Sequence, residues 1–144
     1  MAQLELIGWK EIASLPDLKM YGLKSKIDSG AKSSTLHAEE IQYTIEDGVR
    51  YVKFKIHSTS SEEKTKFIKA KLIEERKIKS STGHITIRPV ILTTLNLGSH
   101  FYEIELTLLD RNFMGLKLLI GRDALKNKFI IHPGKVNLLG SKKK

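Results

Sequence analysis

The chain has no cysteine, which excludes disulfides and thiolate metal sites and fits a reducing compartment. No apolar run approaches membrane-spanning length. Residues 1–9 lack the basic start and long apolar stretch of a signal peptide, so a cytoplasmic location is expected and a membrane partner is not. There is no His-Glu-x-x-His and no glycine-rich Lys-Ser/Thr loop, the signatures of a zinc peptidase and of a nucleotide site. No metal and no cofactor are expected. Acidic residues are also scarce, 16 against 25 Lys and Arg, for a formal charge of +9. That surplus points to an acidic partner: nucleic acid, anionic lipid or an acidic peptide. Part of it lies in 141–144, a basic tail expected to be disordered. Residues 1–140 then form one domain, large enough to bury a core.

What the chain does have is short alternating runs. Residues 41–46 and 49–56 flank Asp47-Gly48, which suits a type I′ hairpin turn, with Val52, Phe54 and Ile56 on one face. Residues 66–79 fit a helix or a strand. Strand is favoured, because Ser80-Ser81-Thr82-Gly83 reads as a hairpin tip and Ile85-Thr86-Ile87 as a returning strand. Pro89 confines its own position to an edge or a bulge. Residues 90–95 and 101–109 make two more strands around a turn at Asn96-Leu97-Gly98. Further strands are expected at 4–9, 22–27, 33–38, 116–121, 129–131 and 136–139. Between them come a connection at 11–18 broken by Pro16, a polar loop at 58–65, turns at 110–115 and at Pro133-Gly134, and a short helix at 122–126. About ten short strands and one helix describe a closed or sandwiched β domain.

One of these strands, Leu23-Lys24-Ser25-Lys26-Ile27, runs straight into Asp28-Ser29-Gly30-Ala31. Taken alone, Asp-Ser-Gly is a common turn, since Asp and Ser bond their own backbone and Gly accepts positive φ. A second stretch far downstream changes that reading. There Leu118-Leu119-Ile120 ends in Gly121-Arg122-Asp123 and opens the short helix. Together the two stretches resemble the halves of the retropepsin-like aspartic protease signature, in which an Asp-Thr/Ser-Gly-Ala loop carries the catalytic carboxylate and an apolar-apolar-Gly strand packs beneath it. The resemblance makes Asp28 the catalyst, gives Ser29 the hydroxyl that cross-links two such loops, and lets Gly30 admit backbone and water closely. Ala31, Gly121 and Arg122 then support the site.

The chemistry needs a pair. Two carboxylates in contact cannot both ionise, so they share a proton; one activates water and the other protonates the leaving group. Asp17, Asp47, Asp110 and Asp123 sit in no matching loop. One half-site per chain puts the dyad across a two-fold axis, so a homodimer is expected, with the helix from Arg122 and the strand at 136–139 as contacts by the same resemblance.

A narrower resemblance covers almost the whole chain. Ile7-Gly8-Trp9, Leu15-Pro16-Asp17-Leu18, the segment from Lys26 through Ser34, Leu36-His37-Ala38, Arg88-Pro89-Val90, Leu106-Thr107-Leu108 with Asp110-Arg111, and Leu119-Ile120-Gly121-Arg122 follow in order. They resemble the prokaryotic retropepsin-like family labelled as ATP-dependent zinc proteases, whose members accompany RimK-type ATP-grasp ligases that attach glutamate to proteins. The resemblance implies a mainly β fold, a closed β-barrel of the acid-protease type with one short helix near the C-terminus. It also implies a peptide or protein substrate, with a glutamate-rich one as candidate. Two departures stand out. Ser29 replaces the usual Thr and keeps the hydroxyl, and Lys32 stands where the viral enzymes have an acid, which removes the expected partner of Arg122. The candidate flap, 77–86, has Gly83 as its one glycine. Arg76, Lys77, Lys79, His84 and Arg88 flank its tip. With Lys32 they are either a solvated charged face or cations that select an acidic chain.

Other readings stay open. A catalytically silent member would bind peptides as an accessory of a glutamate ligase. RNA binding would need cations and aromatics on one sheet face, and Tyr43, Tyr51 and Phe54 amid Arg50, Lys53 and Lys55 come near it only weakly, so nucleic acid is disfavoured. For a metal peptidase His37-Ala38-Glu39-Glu40 comes nearest, against the alternative of a strand histidine bonded to neighbouring backbone. Without Asp28, Gly121-Arg122-Asp123 would read simply as a strand-to-helix turn with Asp123 as a cap.

Overall fold

A computed structural model of the chain describes residues 3–57, 65–111 and 115–140. The expected tail at 141–144, most of the loop expected at 58–65 and the middle of the turn expected at 110–115 lie outside the described residues. Within them the order is β1 (Glu5–Leu15), β2 (Met20–Asp28), β3 (Ser34–His37), β4 (Glu39–Glu46), β5 (Val49–His57), β6 (Thr65–Lys71), β7 (Glu74–Lys79), β8 (Ile85–Leu97), β9 (His100–Leu109), β10 (Leu118–Gly121), α1 (Arg122–Leu125) and β11 (Phe129–Val136). A 3-10 turn at Pro16–Leu18 joins β1 to β2. The class is mainly β with a short helix near the C-terminus, as the strand patterning requires.

Strands β1, β2, β10, β3, β9 and β8 pair in that order, and the ring of six closes where Ala13 and Ser14 of β1 meet Leu97 and Asn96 of β8. Closure of this kind removes open strand edges. β11 lies outside β1 and β7 outside β8. Ile7, Leu15, Leu23, Leu36, Ile91, Leu95, Leu106, Leu118 and Ile120 are fully buried and form the core. A separate sheet, β4-β5-β6, lays Val52, Phe54 and Ile56 against the same core, as the alternation in 49–56 predicts. At its hairpin turn Asp47 and Gly48 have φ of +52° and +77°, the two positive values a type I′ turn needs.

Several boundaries differ from expectation. β1 does not stop at Trp9 but runs to Leu15. Glu11, the first residue of the expected connection, is itself buried, and its carboxylate accepts the N–H groups of Gly8 (2.7 Å), Leu138 (2.9 Å) and Leu139 (3.2 Å). Residues 66–79 are strand except for Leu72 and Ile73, where the chain passes from one sheet to the other, β6 pairing with β5 and β7 with β8. The strands expected at 85–87 and 90–95 are one, β8. It pairs with β7 up to Val90 and with β9 from Val90 on, so Pro89 is flanked on one side only, where its missing N–H costs no ladder bond. Pro133-Gly134 makes no turn. Both lie inside β11 where its pairing with β1 shifts register between Gly8 and Lys10, an irregularity that tolerates proline. The separate strand expected at 136–139 is absent, since β11 ends at Val136.

Candidate active site

β2 ends at Asp28 and β10 at Gly121, and the two strands run parallel with these residues opposite each other. The chain then loops to β3. Inside the loop Asp28 Oδ1 accepts the Gly30 N–H at 3.0 Å, and the Asp28 carbonyl accepts the Ala31 N–H at 3.2 Å. The turn chemistry of Asp-Ser-Gly is thus realised. Asp28 is half-buried, while Ser29 and Gly30 are exposed. A Cβ on Gly30 would sit 3.2 Å from Asp28 Oδ1, so glycine keeps the approach to the carboxylate open.

The turn from β10 into α1 clamps this loop from the other side. The amides of Arg122 and Asp123 donate to the carbonyls of Ala31 (2.6 Å) and Lys32 (3.1 Å), and the Gly121 N–H donates to Ser34 Oγ at 3.0 Å. A Cβ on Gly121 would lie 2.5 Å from the Ser33 carbonyl oxygen and 2.8 Å from that of Ala31, so contact, not conformation, demands glycine here. Arg122 Nη1 donates to the Ser29 carbonyl at 2.8 Å, and Lys32 Nζ meets Asp123 Oδ2 at 2.8 Å. Arg122 therefore keeps a loop contact although Lys32 is no acid. The ion pair between loop and helix is made with Lys32 as the cation and Asp123, one residue beyond Arg122, as the anion. The Lys32 hydrogen bond holds the Asp123 carboxyl below the usual carboxylate range. Asp123 is not the helix cap, since Gly121 holds that position with no side-chain bond. Behind α1 the Tyr102 hydroxyl donates to the Ala124 carbonyl at 2.5 Å, and burial pushes the Tyr102 pKa up.

The candidate flap is the β7–β8 hairpin. At its tip the Ser80 N–H donates to the His84 carbonyl (2.8 Å), and Gly83 has a φ of +91°. The cations expected along its flanks divide. Arg76 is committed to Glu74 and, at 2.8 Å, to Glu105. Lys77 and Lys79 stand opposite the exposed Ile87 and Ile85, and His84 is exposed. Arg88 lies over β3 and is buried there. The structure thus gathers Asp28, Ser29, Gly30, Ala31, Lys32, Gly121 and Arg122 into one unit and leaves Arg76, Lys79, Gly83 and His84 on the hairpin. Ser34 and Asp123 also anchor the loop, roles that the sequence does not signal. For Ser34 the available hint was a strand start with two adjacent polar residues, Ser34 and Thr35, and both prove buried.

His37, Glu39 and Asp110 place one potential ligand atom each within 4.8 Å of one another. His37 Nδ1 accepts the Arg111 N–H at 3.1 Å, so the neutral ring carries its proton on Nε2, 3.5 Å from Glu39. Coordination through Nε2 would displace that proton and the amide contact. His37 fits better as a strand histidine bonded to backbone. His57 also meets Glu39, at 3.1 Å, and its hydrogen bond does most to hold the Glu39 carboxyl below its ordinary range. The aromatics weighed for RNA do not all share a face. Tyr43 stands opposite the buried Val52, Phe54 is buried, and Tyr51 points the other way, opposite Lys71.

Residues 6–141 match the RimB-like family model, described as retropepsin-like aspartic endopeptidase RimB. The chain is 38% identical over 136 residues to a "Probable alpha-L-glutamate ligase" of Shewanella halifaxensis, and 38% over 137 residues to a protein of the same name from Desulfotalea psychrophila. Each alignment takes in 94% of this chain but 30% of the relative, so the chain spans under a third of the length of these curated relatives. The crystal structure of a protein of unknown function from Legionella pneumophila, 27% identical, has a TM-score of 0.76 to this one over 95% of this chain and 99% of the other. The chain belongs to the RimB-like family of retropepsin-like aspartic endopeptidases.

Proposed function

We propose that this member of the RimB-like family hydrolyses peptide bonds with a dyad built from one Asp28 in each of two copies. The observation that carries the reading is Asp28 itself, half-buried at a strand end. Among the described residues its carboxylate accepts the Gly30 N–H alone, which leaves most of its acceptor capacity open. Against the Asp28 of a second copy it would share one proton. The ionised member takes a proton from a water between the two, the water oxygen attacks the scissile carbonyl carbon, and the protonated member gives its proton to the leaving nitrogen. Gly121, Arg122 and Lys32 hold the loop backbone from which the carboxylate projects, and Ser29 bonds across the two loops. The substrate is a peptide or protein, acidic in keeping with the charge of +9.

The test is mixing. Excess Asp28→Asn chain added to wild type is expected to poison peptide cleavage through mixed dimers. Activity strictly proportional to the wild-type chains present would overturn the shared dyad. The names of the relatives favour a second reading, because this chain aligns with part of proteins named as glutamate ligases. A silent, peptide-binding accessory of such a ligase would sediment as a monomer and bind peptides without cutting them.

A further inference from the structure

Arg88 is 8% exposed, and buried arginines normally face a carboxylate. This one does not. Its Nε donates to Thr86 Oγ1 at 2.9 Å and its Nη1 to Thr35 Oγ1 at 3.1 Å, and it forms no ion pair among the described residues. The hydroxyls behind it are ordered. Thr107 donates to the Ser34 carbonyl at 3.0 Å, so the 2.8 Å contact between Thr107 and Thr35 is donated by Thr35, whose oxygen then accepts from Arg88. This chain positions the guanidinium and brings no negative charge to it. Three of its five N–H groups remain without an acceptor among the described residues. Arg88 Nη2 has no acceptor among the described residues and is not among the fully buried, unpartnered side-chain atoms, of which Thr93 Oγ1 is the only one there, and the residue keeps 8% of its surface exposed. Burial first, and then the charge of the exposed Arg111, push the Arg88 guanidinium below its ordinary pKa.

The register says from which face of the sheet the Arg88 side chain leaves. Leu119 lies between Lys26 of β2 and Thr35 of β3, Thr35 stands beside Thr107 of β9, and Thr107 stands opposite Val90 of β8. Paired residues project to one face, and so do residues two apart along a strand. Asp28, two beyond Lys26, and Arg88, two before Val90, therefore project from the same face. Thr35, which holds the guanidinium, is two strands across and two residues along from Asp28. That is roughly 12 Å, about the span of three or four residues of an extended peptide.

We propose that Arg88 is a carboxylate subsite of the peptidase cleft, receiving an acidic side chain of the peptide within a few positions of the scissile bond. The assignment rests on the dyad reading, which supplies the bond that is cut. The probes are hexaglutamate and hexaglutamine, fluorescein-labelled and C-amidated so that the side chains are the one difference, with the full chain carrying Asp28→Asn to prevent cleavage. Hexaglutamate is expected to bind about ten- to hundredfold more tightly than hexaglutamine. Arg88→Gln should remove most of that difference, and Arg88→Lys should retain part of it. Melting temperature identifies a variant that fails to fold. Thr35→Val, which keeps the charge but withdraws its acceptor, is a second route to weaker hexaglutamate binding. Equal binding of the two peptides, or hexaglutamate affinity unchanged in folded Arg88→Gln, overturns the subsite. Cleavage of a mixed peptide library by wild type separates the two readings. Cuts with no acidic residue nearby would reject the subsite and keep the peptidase; no cuts at all, with Arg88-dependent hexaglutamate binding, would reject the peptidase and keep the subsite.

Discussion

Glu11 and Asp28 are both carboxylates held by backbone amides, and the molecule uses them in opposite ways. Glu11 is fully buried and takes three N–H groups, fastening the irregular stretch of β1 at Gly8 to the segment after β11. Gly8 belongs to the same fastening, since a Cβ there would lie 2.2 Å from the Lys135 carbonyl oxygen. Asp28 is half-buried and takes one N–H. Beyond that bond, its position is set by residues that grip its loop, Gly121, Arg122 and Lys32. A carboxylate whose acceptor sites are filled is structural, and one whose sites are kept open by its surroundings is available for chemistry.

The sharpest way to break that contrast is to neutralise Asp28. Asp28→Asn keeps an oxygen for the Gly30 amide, so stability should change by no more than about 0.5 kcal/mol. Peptide cleavage should fall by about a thousandfold or more, since an amide can neither share the dyad proton nor act as base. Wild-type turnover, or an unfolded variant, would end the comparison. Glu11→Ala should do the reverse. One buried and two part-buried amides lose their acceptor, which costs about 2 kcal/mol or more in a denaturant titration, while the Asp28 loop is untouched. A Glu11→Ala chain with the wild-type midpoint would show that these bonds are idle.

Smaller effects probe the grip on the loop. Gly121→Ala forces a methyl against the Ser33 and Ala31 carbonyls, and overpacking of this kind costs about 1–3 kcal/mol. Activity should drop by more than stability explains, because the displaced backbone carries Asp28; full activity in a folded variant would argue against the clamp. Lys32→Ala is the mildest, under about 1 kcal/mol, because the pair with Asp123 is exposed. The sign follows from Asp123 titrating below its ordinary range when folded. The pair contributes fully above the ordinary carboxylate pKa, and its contribution is lost as pH falls through the depressed folded value. Lys32→Ala should raise the Asp123 pKa in an NMR titration and flatten that acid-side slope; an unmoved Asp123 would show that Lys32 is not the cause.

Much of this was legible in the residues because the requirements are local. Strand alternation, the Asp47-Gly48 turn, and the Asp28-Ser29-Gly30 turn after an apolar strand each depend on neighbours a few positions away. The same holds for the apolar strand that ends at Gly121-Arg122 and opens α1. Family membership followed from the order of such pieces along the chain. What tertiary structure alone decided concerns polar groups whose partners come from far away. Glu11 looks like the start of a connection until Leu138 and Leu139 arrive to bond it. Lys32 looks like the loss of an ion pair until Asp123, 91 positions on, supplies one. Arg88 looks like one more solvated cation of a charged hairpin until β3 and β9 bring Thr35 and Thr107 beneath it. Residue type states what a polar group can bond; burial and strand register, which no local window contains, decide what it does bond and what it leaves open.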